Sequence, residues 1–175
     1  MPTVTCVERT SEAKDAQDAA WVANGVDNRL FYPYVSSCVT VTLVFDNGIL
    51  GGHASQSTAD AKHPELKPAE NLLSVIDRMV SAAPASGVRG SFKKIYFIGT
   101  TSDDGWKLDQ AKGVIIEKFG QPSVTVPGRT SASPVDIVFD TEKKKIYSAI
   151  RADHTHGADQ TIQDAKAIMA AVKYD

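Results

Sequence analysis

The chain has 175 residues, a formal net charge of −2, and 42% hydrophobic and 23% charged residues. This length suits one domain that buries a core without disulfide staples. The weakly acidic charge argues against a nucleic-acid partner, which usually requires a basic face. The two cysteines, Cys6 and Cys38, are too few for a disulfide framework, so we expect both to be reduced thiols.

The N-terminal segment lacks the basic start and the apolar run of a signal peptide. No stretch approaches the roughly 18 apolar residues that a membrane span needs. We therefore expect a soluble, cytoplasmic protein without a membrane span, and a monomer. Export by a signal-independent machinery, with delivery into host or target cells, is left open.

Four segments carry helix signals. One is rich in alanine and has a possible serine N-cap, and three place apolar residues on one face. These segments are residues 11–23, residues 68–84 between two prolines, residues 108–119 and residues 159–174. We expect a single domain over 1–175, in which the first and the last of these segments are extra helical segments at the N-terminus (1–24) and the C-terminus (159–175).

Alternating β-branched residues predict a strand at residues 39–45. Asp46-Asn47-Gly48 then predicts a tight hairpin turn, and 49–57 is the expected return strand, in which Gly51-Gly52 indicates a bulge or a close backbone approach. Further strands are predicted at 95–98, 123–126, 135–139 and 145–150. The mixture of hairpins and strand–helix–strand units predicts an α/β fold with a layered mixed β-sheet or a β-sandwich flanked by helices.

This hairpin carries a candidate catalytic pair. Cys38 follows two serines at the entrance of the strand, and His53 lies fifteen residues further on. A thiol attacks as its thiolate, and a neighbouring histidine can take its proton. Backbone amides at a strand entrance can stabilise an oxyanion. We therefore predict Cys38 as nucleophile, His53 as general base and acid, and the amides of Ser37 and Cys38 as the oxyanion hole. A small buried cysteine without chemistry is the alternative.

Strand geometry tests this pair. With Asn47-Gly48 as the turn, Thr42 would lie opposite His53, four residues from Cys38. At about 3.3 Å per residue the pair would be roughly 13 Å apart, too far for a hydrogen bond. A longer loop, a bulge at the double glycine or a bend in the chain before Cys38 would close the gap.

Residues 35–45, VSSCVTVTLVF, followed by Gly-Gly-His ending at His53, resemble the core of the chemoreceptor glutamine deamidase family CheD. In that family a Gly-Ser-Cys segment opens an apolar strand, and a histidine follows a Gly-rich turn. Later elements follow in the family's order, so the resemblance covers about residues 30–151. The necrotizing-factor toxins have a similar Cys–His core.

The resemblance implies a CheD-like fold and the hydrolysis of a glutamine side-chain amide to glutamate and ammonia, without cofactor or metal. The partner would be a substrate protein that carries the target glutamine. The family's threonine six residues before the cysteine is Tyr32 here. The third catalytic element is therefore open between a backbone carbonyl that orients His53, the Tyr32 hydroxyl and Ser55. The terminal segments have no counterpart in the family, which favours an effector or toxin.

Two other readings stay open: a non-catalytic binding or inhibitor module of the same fold, and a transglutaminase or cysteine protease, which would use the same thioester. Cys6 lies near a terminus that we expect to be unanchored. It has no evident base partner, so we do not expect it to be catalytic.

Overall fold

A computed structural model of the chain describes residues 3–8, 18–56, 67–86, 90–101, 104–127, 133–151, 157–167 and 171–174. The strands are β1 (Thr3–Cys6), β2 (Ala19–Ala23), β3 (Asn28–Val35), β4 (Val39–Phe45), β5 (Gly48–Ala54), β6 (Phe92–Gly99), β7 (Val124–Pro127), β8 (Val135–Asp140), β9 (Lys145–Ile150) and β10 (Ala171–Lys173). The helices are α1 (Pro68–Ser86), α2 (Leu108–Phe119) and α3 (Ala158–Ala167), with a 3-10 turn at Asp104–Trp106.

The strands form two mixed five-stranded sheets. Sheet I has the order β2-β5-β4-β6-β7, and sheet II has the order β1-β3-β8-β9-β10. Neighbouring strands are antiparallel except β6 with β7 in sheet I and β1 with β3 in sheet II. Both sheets therefore combine hairpins with parallel pairs, as the mixed sequence pattern indicates.

Apolar side chains divide the molecule into layers. One face of β4 packs under α1 and α2 through Val41 and Leu43, and the other face meets sheet II. The far face of sheet II is covered by α3, whose Ile162 and Ala165 pack against Val138. The order is helices, sheet I, sheet II, helix, which confirms the predicted mixed α/β architecture of layered sheets with flanking helices.

The prediction of a helix over 11–23 is wrong where the structure describes it. Residues 19–23 form β2, which pairs antiparallel with β5, and residues 11–17 lie outside the described residues. Ala19 lies opposite Gly52 and Ala20 opposite Gly51. Pairing with this small-residue edge of the sheet outweighs the helix propensity of alanine, which is only a weak preference.

The C-terminal helix is shorter than predicted. It ends at Ala167, and residues 171–173 form β10, which pairs with β9. Tyr174 is fully buried between the sheets, and its carbonyl accepts hydrogen bonds of 3.1 Å from Lys94 Nζ and from the Tyr96 hydroxyl. These tertiary contacts make the end of the chain a strand and a core anchor.

Other boundaries agree with the sequence more closely. α2 and β9 have the predicted bounds, and α1 begins at Pro68 but continues two residues beyond Pro84. The sequence reading missed β1, in which Cys6 pairs with Phe31 of β3, so the expectation of an unanchored terminus is wrong. None of the helices in the described ranges is long and apolar enough to cross a membrane.

Candidate active site

The β4–β5 hairpin turns one residue earlier than predicted. Phe45 pairs with Gly48, so Asp46-Asn47 forms the two-residue loop, and the pairing runs without a shift to Val39 opposite Ala54. Gly48 lies inside β5, where a Cβ atom would overlap the Val22 carbonyl oxygen of β2. Gly48 is therefore needed for the close approach of β2 and not for the turn, which is formed by the two residues before it.

The corrected register reduces the offset between the predicted catalytic residues from four residues to two. Thr40, not Thr42, lies opposite His53, and Cys38 is two residues before Thr40. The Cys38 carbonyl accepts a 3.1 Å hydrogen bond from the Thr100 amide, which extends the β4–β6 pairing to this residue. The Thr42–His53 register behind the expected separation of roughly 13 Å is therefore wrong, and continuing the observed register by one residue would put Cys38 diagonal to His53, at about 7–8 Å between backbone positions.

Both side chains face the interior between the sheets. Cys38 belongs to the apolar cluster that joins the two sheets, and the His53 ring packs edge-on against Tyr32 of the same cluster, with 6.0 Å between ring centroids. Cys38 and His53 both have 0% exposure. The pair therefore lies in a desolvated environment, where electrostatic interactions are stronger than in water.

Gly51-Gly52 gives a close approach and no bulge. A Cβ atom at Gly51 would overlap the Tyr32 hydroxyl, and one at Gly52 would lie 2.5 Å from the sulfur of Met79 in α1. The double glycine thus lets sheet II press on one face of β5 and α1 on the other. This packing fixes the strand that carries His53.

Two backbone carbonyls hold His53. Its ring Nδ1 lies 3.0 Å from the carbonyl oxygen of Val7, which follows β1 in sheet II. Its backbone amide donates a 3.0 Å hydrogen bond to the carbonyl of Asp18. Because a carbonyl can only accept, Nδ1 carries the proton in the neutral ring, and Nε2 is the basic nitrogen.

Asp18 is itself anchored on α1. Its carboxylate, largely buried, accepts two hydrogen bonds from Arg78, one of them 2.9 Å from Nε. Arg78 also donates through Nη1 to Ser74, one turn earlier in the helix, at 2.8 Å. This ion pair fixes Asp18, whose carbonyl accepts the hydrogen bond from the His53 amide.

Tyr32 and Ser55 take different places near the pair. The Tyr32 hydroxyl donates to the Val41 carbonyl at 3.0 Å and lies 2.7 Å from the Thr42 hydroxyl, so its ring, and not its hydroxyl, meets His53. Burial raises the pKa of the Tyr32 phenol far above its ordinary value, although hydrogen bonds from Thr42 and Gly52 oppose this. Ser55 follows β5 and is buried, and its carbonyl accepts a 3.1 Å hydrogen bond from Asn71.

The predicted oxyanion-hole residues lie where the chain enters the core. Ser36 is half-buried, Ser37 is exposed and Cys38 is fully buried. The chain therefore passes from solvent to the interior within one residue. A substrate group that reaches Cys38 would enter at this end of the sandwich.

Cys6 lies on the opposite face of sheet II from the Cys38 pair. It is half-buried and packs against the cluster under α3. Burial, followed by the nearby charges of Glu8 and Asp136, raises the pKa of the Cys6 thiol to about 11. Cys6 is therefore protonated near neutral pH and is a poor nucleophile there.

Sequence reasoning did not identify Val7 and Asp18, because a residue that acts through its main-chain carbonyl leaves no residue-type signal. Within the described ranges, no three His, Cys, Asp or Glu side chains are arranged to bind a metal ion.

Comparison of the chain with models of known protein families gave no match, and a search of curated proteins gave none.

Proposed function

We propose that the chain is a thiol-dependent amidohydrolase that deamidates a glutamine side chain of a substrate protein, on a CheD-like core. One observation carries the proposal: the strand register places His53 opposite Thr40, two residues from Cys38, and the Val7 carbonyl holds Nδ1 of His53. A positioned thiol and imidazole, with the imidazole oriented by a third group, are the arrangement that activates a nucleophile. The resemblance of residues 35–53 to CheD supports the same chemistry.

In the first half-reaction, His53 Nε2 takes the Cys38 proton and the thiolate attacks the carboxamide carbon. The C–S bond forms as the carbonyl becomes an oxyanion, which the amides of Ser37 and Cys38 would stabilise. The protonated His53 then gives its proton to the leaving nitrogen. The C–N bond breaks, ammonia departs, and a thioester to Cys38 remains.

In the second half-reaction, His53 takes a proton from a water molecule, which attacks the thioester carbonyl. The C–S bond breaks, the Cys38 sulfur regains a proton through His53, and a glutamate carboxyl group remains. The balance is one glutamine amide and one water converted to one glutamate and one ammonia. The Val7 carbonyl supports both halves, because it holds the tautomer in which Nε2 exchanges protons.

Burial of the pair favours a side-chain amide over a main-chain peptide bond as the substrate. Cys38 and His53 are fully buried, and the nearest exposed residue along the chain is Ser37. An unbranched glutamine side chain would need only a narrow opening to reach the thiol, whereas an extended peptide would need a groove along it. Burial of the pair therefore favours deamidation over proteolysis as the activity.

We place the activity in a reducing compartment, the cytoplasm of the producing cell or of a target cell, and assign it to a monomeric effector or toxin. Neither Cys6 nor Cys38 is in a disulfide, and attack requires Cys38 to be reduced. A non-catalytic binding module is the second candidate. The complete burial of Cys38 and His53 favours that candidate, since structural cysteines are often small buried hydrophobes.

The test is ammonia release from a desalted cell extract treated with the wild-type protein, Cys38→Ser, His53→Gln and the matched control Cys6→Ser. We expect the Cys38 and His53 variants to lose activity by about 10³-fold or more, and Cys6→Ser to keep it. Equal ammonia release by wild type and Cys38→Ser would overturn the proposal, provided that circular dichroism shows both proteins folded.

A further inference from the structure

The chain crosses between the sheets immediately before the proposed nucleophile. β3 ends at Val35 in sheet II, and β4 begins at Val39 in sheet I. Only residues 36–38 link the two strands. The position of Cys38 therefore depends on how β3 ends.

The end of β3 contains a bulge. Tyr32 lies opposite Ile137 and Val35 opposite Val135, so β3 has one residue more than β8 in this stretch. Tyr34, within the bulge, has a φ of +51°, a conformation that residues with a side chain seldom adopt. The extra residue turns Val35 to the same inner face as Tyr32, and both are fully buried.

Asp136 of β8 holds this bulge. Its Oδ1 accepts a 2.7 Å hydrogen bond from the Tyr34 amide, and its side chain is 3% exposed. A bulge takes a backbone amide out of the regular ladder, and a carboxylate is a strong acceptor for such an amide. The contact fixes the one residue of β3 that has a left-handed backbone.

Arg151 fixes Asp136 in turn. Its Nε lies 3.2 Å from Asp136 Oδ2, its Nη1 donates to Asp164 of α3 at 2.6 Å, and the side chain is 5% exposed. Its backbone amide donates to the Pro134 carbonyl at 2.9 Å, which ties it to the start of β8. A buried ion pair contributes little net stability but can impose one geometry.

We infer that Asp136, fixed by Arg151, is a positioning residue of the active site. Its carboxylate sets the bulge at Tyr34 and thereby places Cys38 relative to His53. Strand alternation puts Asp136 with Val138 on the face toward α3, away from the interior between the sheets, so it does not touch substrate. The inference rests on the proposed function, because the position of Cys38 matters to activity only if Cys38 is the nucleophile.

The test uses the pH dependence of Cys38 alkylation by iodoacetamide in a Cys6→Ser background. If His53 activates Cys38, the alkylation rate should stay high, as a plateau, below the pH at which an ordinary thiol ionises. The variant His53→Gln should lose this low-pH plateau. We expect Asp136→Asn to slow alkylation at pH 7 by about tenfold or more, since displacing reacting groups by 1 Å can cost 10²-fold. It should also lose the low-pH plateau.

Asp140→Asn is the matched control. Asp140 lies on the same strand and face, is 1% exposed, pairs with Arg29, and caps the turn at the other end of β8 through the amides of Glu142 and Lys143. Both substitutions should lower the melting temperature. Only Asp136→Asn should change the alkylation profile of Cys38, because a purely structural role would leave that profile intact below the melting transition.

The outcomes separate the two claims. A parent with a His53-dependent plateau, and equal profiles in the Asp136 and Asp140 variants, overturns the positioning inference and leaves the catalytic pair in place. A parent with an ordinary thiol profile, or with no alkylation, overturns the proposed function and the inference together. If Asp136→Asn does not fold because the buried Arg151 loses one of its two carboxylate partners, the double variant Asp136→Asn/Arg151→Gln removes both charges of the pair and carries the same expectation.

Discussion

The imidazole Nδ1 of His53 in sheet I lies 3.0 Å from the carbonyl oxygen of Val7, the residue that follows β1 of sheet II. This contact joins the two sheets at the end of the sandwich where β4 begins. The Val7 amide also donates to the Phe31 carbonyl at 2.8 Å, so the orienting carbonyl is itself anchored on β3. Because Nδ1 faces a carbonyl oxygen, which can only accept, the basicity of the neutral ring lies at Nε2.

The first prediction concerns the tautomer of this ring. We expect neutral His53 to carry its proton on Nδ1, because the Val7 carbonyl can only accept. Two-dimensional ¹H–¹⁵N correlation of the imidazole nitrogens, in protein labelled at histidine and held above the His53 pKa, checks this. A spectrum in which Nε2 carries the proton would contradict the orientation described above.

The second prediction concerns Gly99, which ends β6 against the proposed nucleophile. Its φ is +148°, and a Cβ atom there would overlap the Cys38 carbonyl and lie 2.9 Å from Val39 Cα. Gly99→Ala should therefore displace Cys38, lower the free energy of unfolding by about 1–3 kcal/mol, and slow alkylation of Cys38. Urea unfolding and iodoacetamide labelling measure the two effects.

Gly113→Ala is the control for this substitution. Gly113 is exposed in α2, and a Cβ atom there would meet nothing within 4 Å. Alanine should be neutral or should stabilise the helix by about 0.5–1 kcal/mol, with unchanged labelling of Cys38. If both glycine variants behave alike, the close contact between Gly99 and Cys38 does not constrain the nucleophile.

The hairpin shows what the sequence can and cannot predict. Alternating valine and threonine identify β4, and Asp-Asn-Gly identifies the turn region. The register depends on Gly48, which the approach of β2 requires inside β5. That requirement comes from a strand distant in sequence and leaves no local signal. A turn displaced by one residue moved the partner of His53 from Thr42 to Thr40, which halves its offset from Cys38 along β4.

The third prediction concerns Tyr174, which anchors the end of the chain. Its ring is fully buried, 5.5 Å from Phe139 and 6.5 Å from Tyr96 between centroids, and its amide donates to the Lys144 carbonyl. Tyr174→Ala should cost roughly 3–5 kcal/mol of unfolding free energy, as for other large aromatic truncations. Urea titration measures this loss.

The exposed neighbour Lys173 provides the matched control. Lys173→Ala should change stability by less than about 0.5 kcal/mol, as surface substitutions usually do. A comparable loss in both variants would show that the ring of Tyr174 is not what anchors β10. The sequence predicts a helix up to residue 174 because the apolar spacing of this segment suits a helix face. Pairing of β10 with β9 and burial of the Tyr174 ring determine the observed structure instead.

The fourth prediction is the pH dependence that Cys6 confers. Its pKa is raised to about 11, chiefly by burial, so the folded chain keeps this proton at pH values where the unfolded chain has lost it. Its contribution to stability is therefore complete at lower pH and is lost as the pH rises from the ordinary thiol range toward 11. Cys6→Ser should remove this part of the alkaline decline in urea unfolding between pH 8 and about 11; an unchanged decline would contradict the raised pKa.

The two thiols illustrate a further limit of sequence reading. Cys6 and Cys38 are distinguished in sequence only by their neighbours, yet one lies under α3 and the other between the sheets. The strand β1 that places Cys6 also delivers the Val7 carbonyl to His53. Its four residues have too short a pattern to predict, and its parallel pairing with β3 is a tertiary feature.

The most direct measurement of the central claim is oxygen incorporation during the proposed reaction. Cell extract is treated in H₂¹⁸O with wild-type protein, Cys38→Ser or Cys6→Ser, and its peptides are read by mass spectrometry. Glutamine converted to glutamate with one ¹⁸O, in the wild-type and Cys6→Ser samples and not with Cys38→Ser, is the expected result. Equal conversion with folded Cys38→Ser, or no conversion above untreated extract with any of the three proteins, would contradict a Cys38-dependent glutamine deamidase.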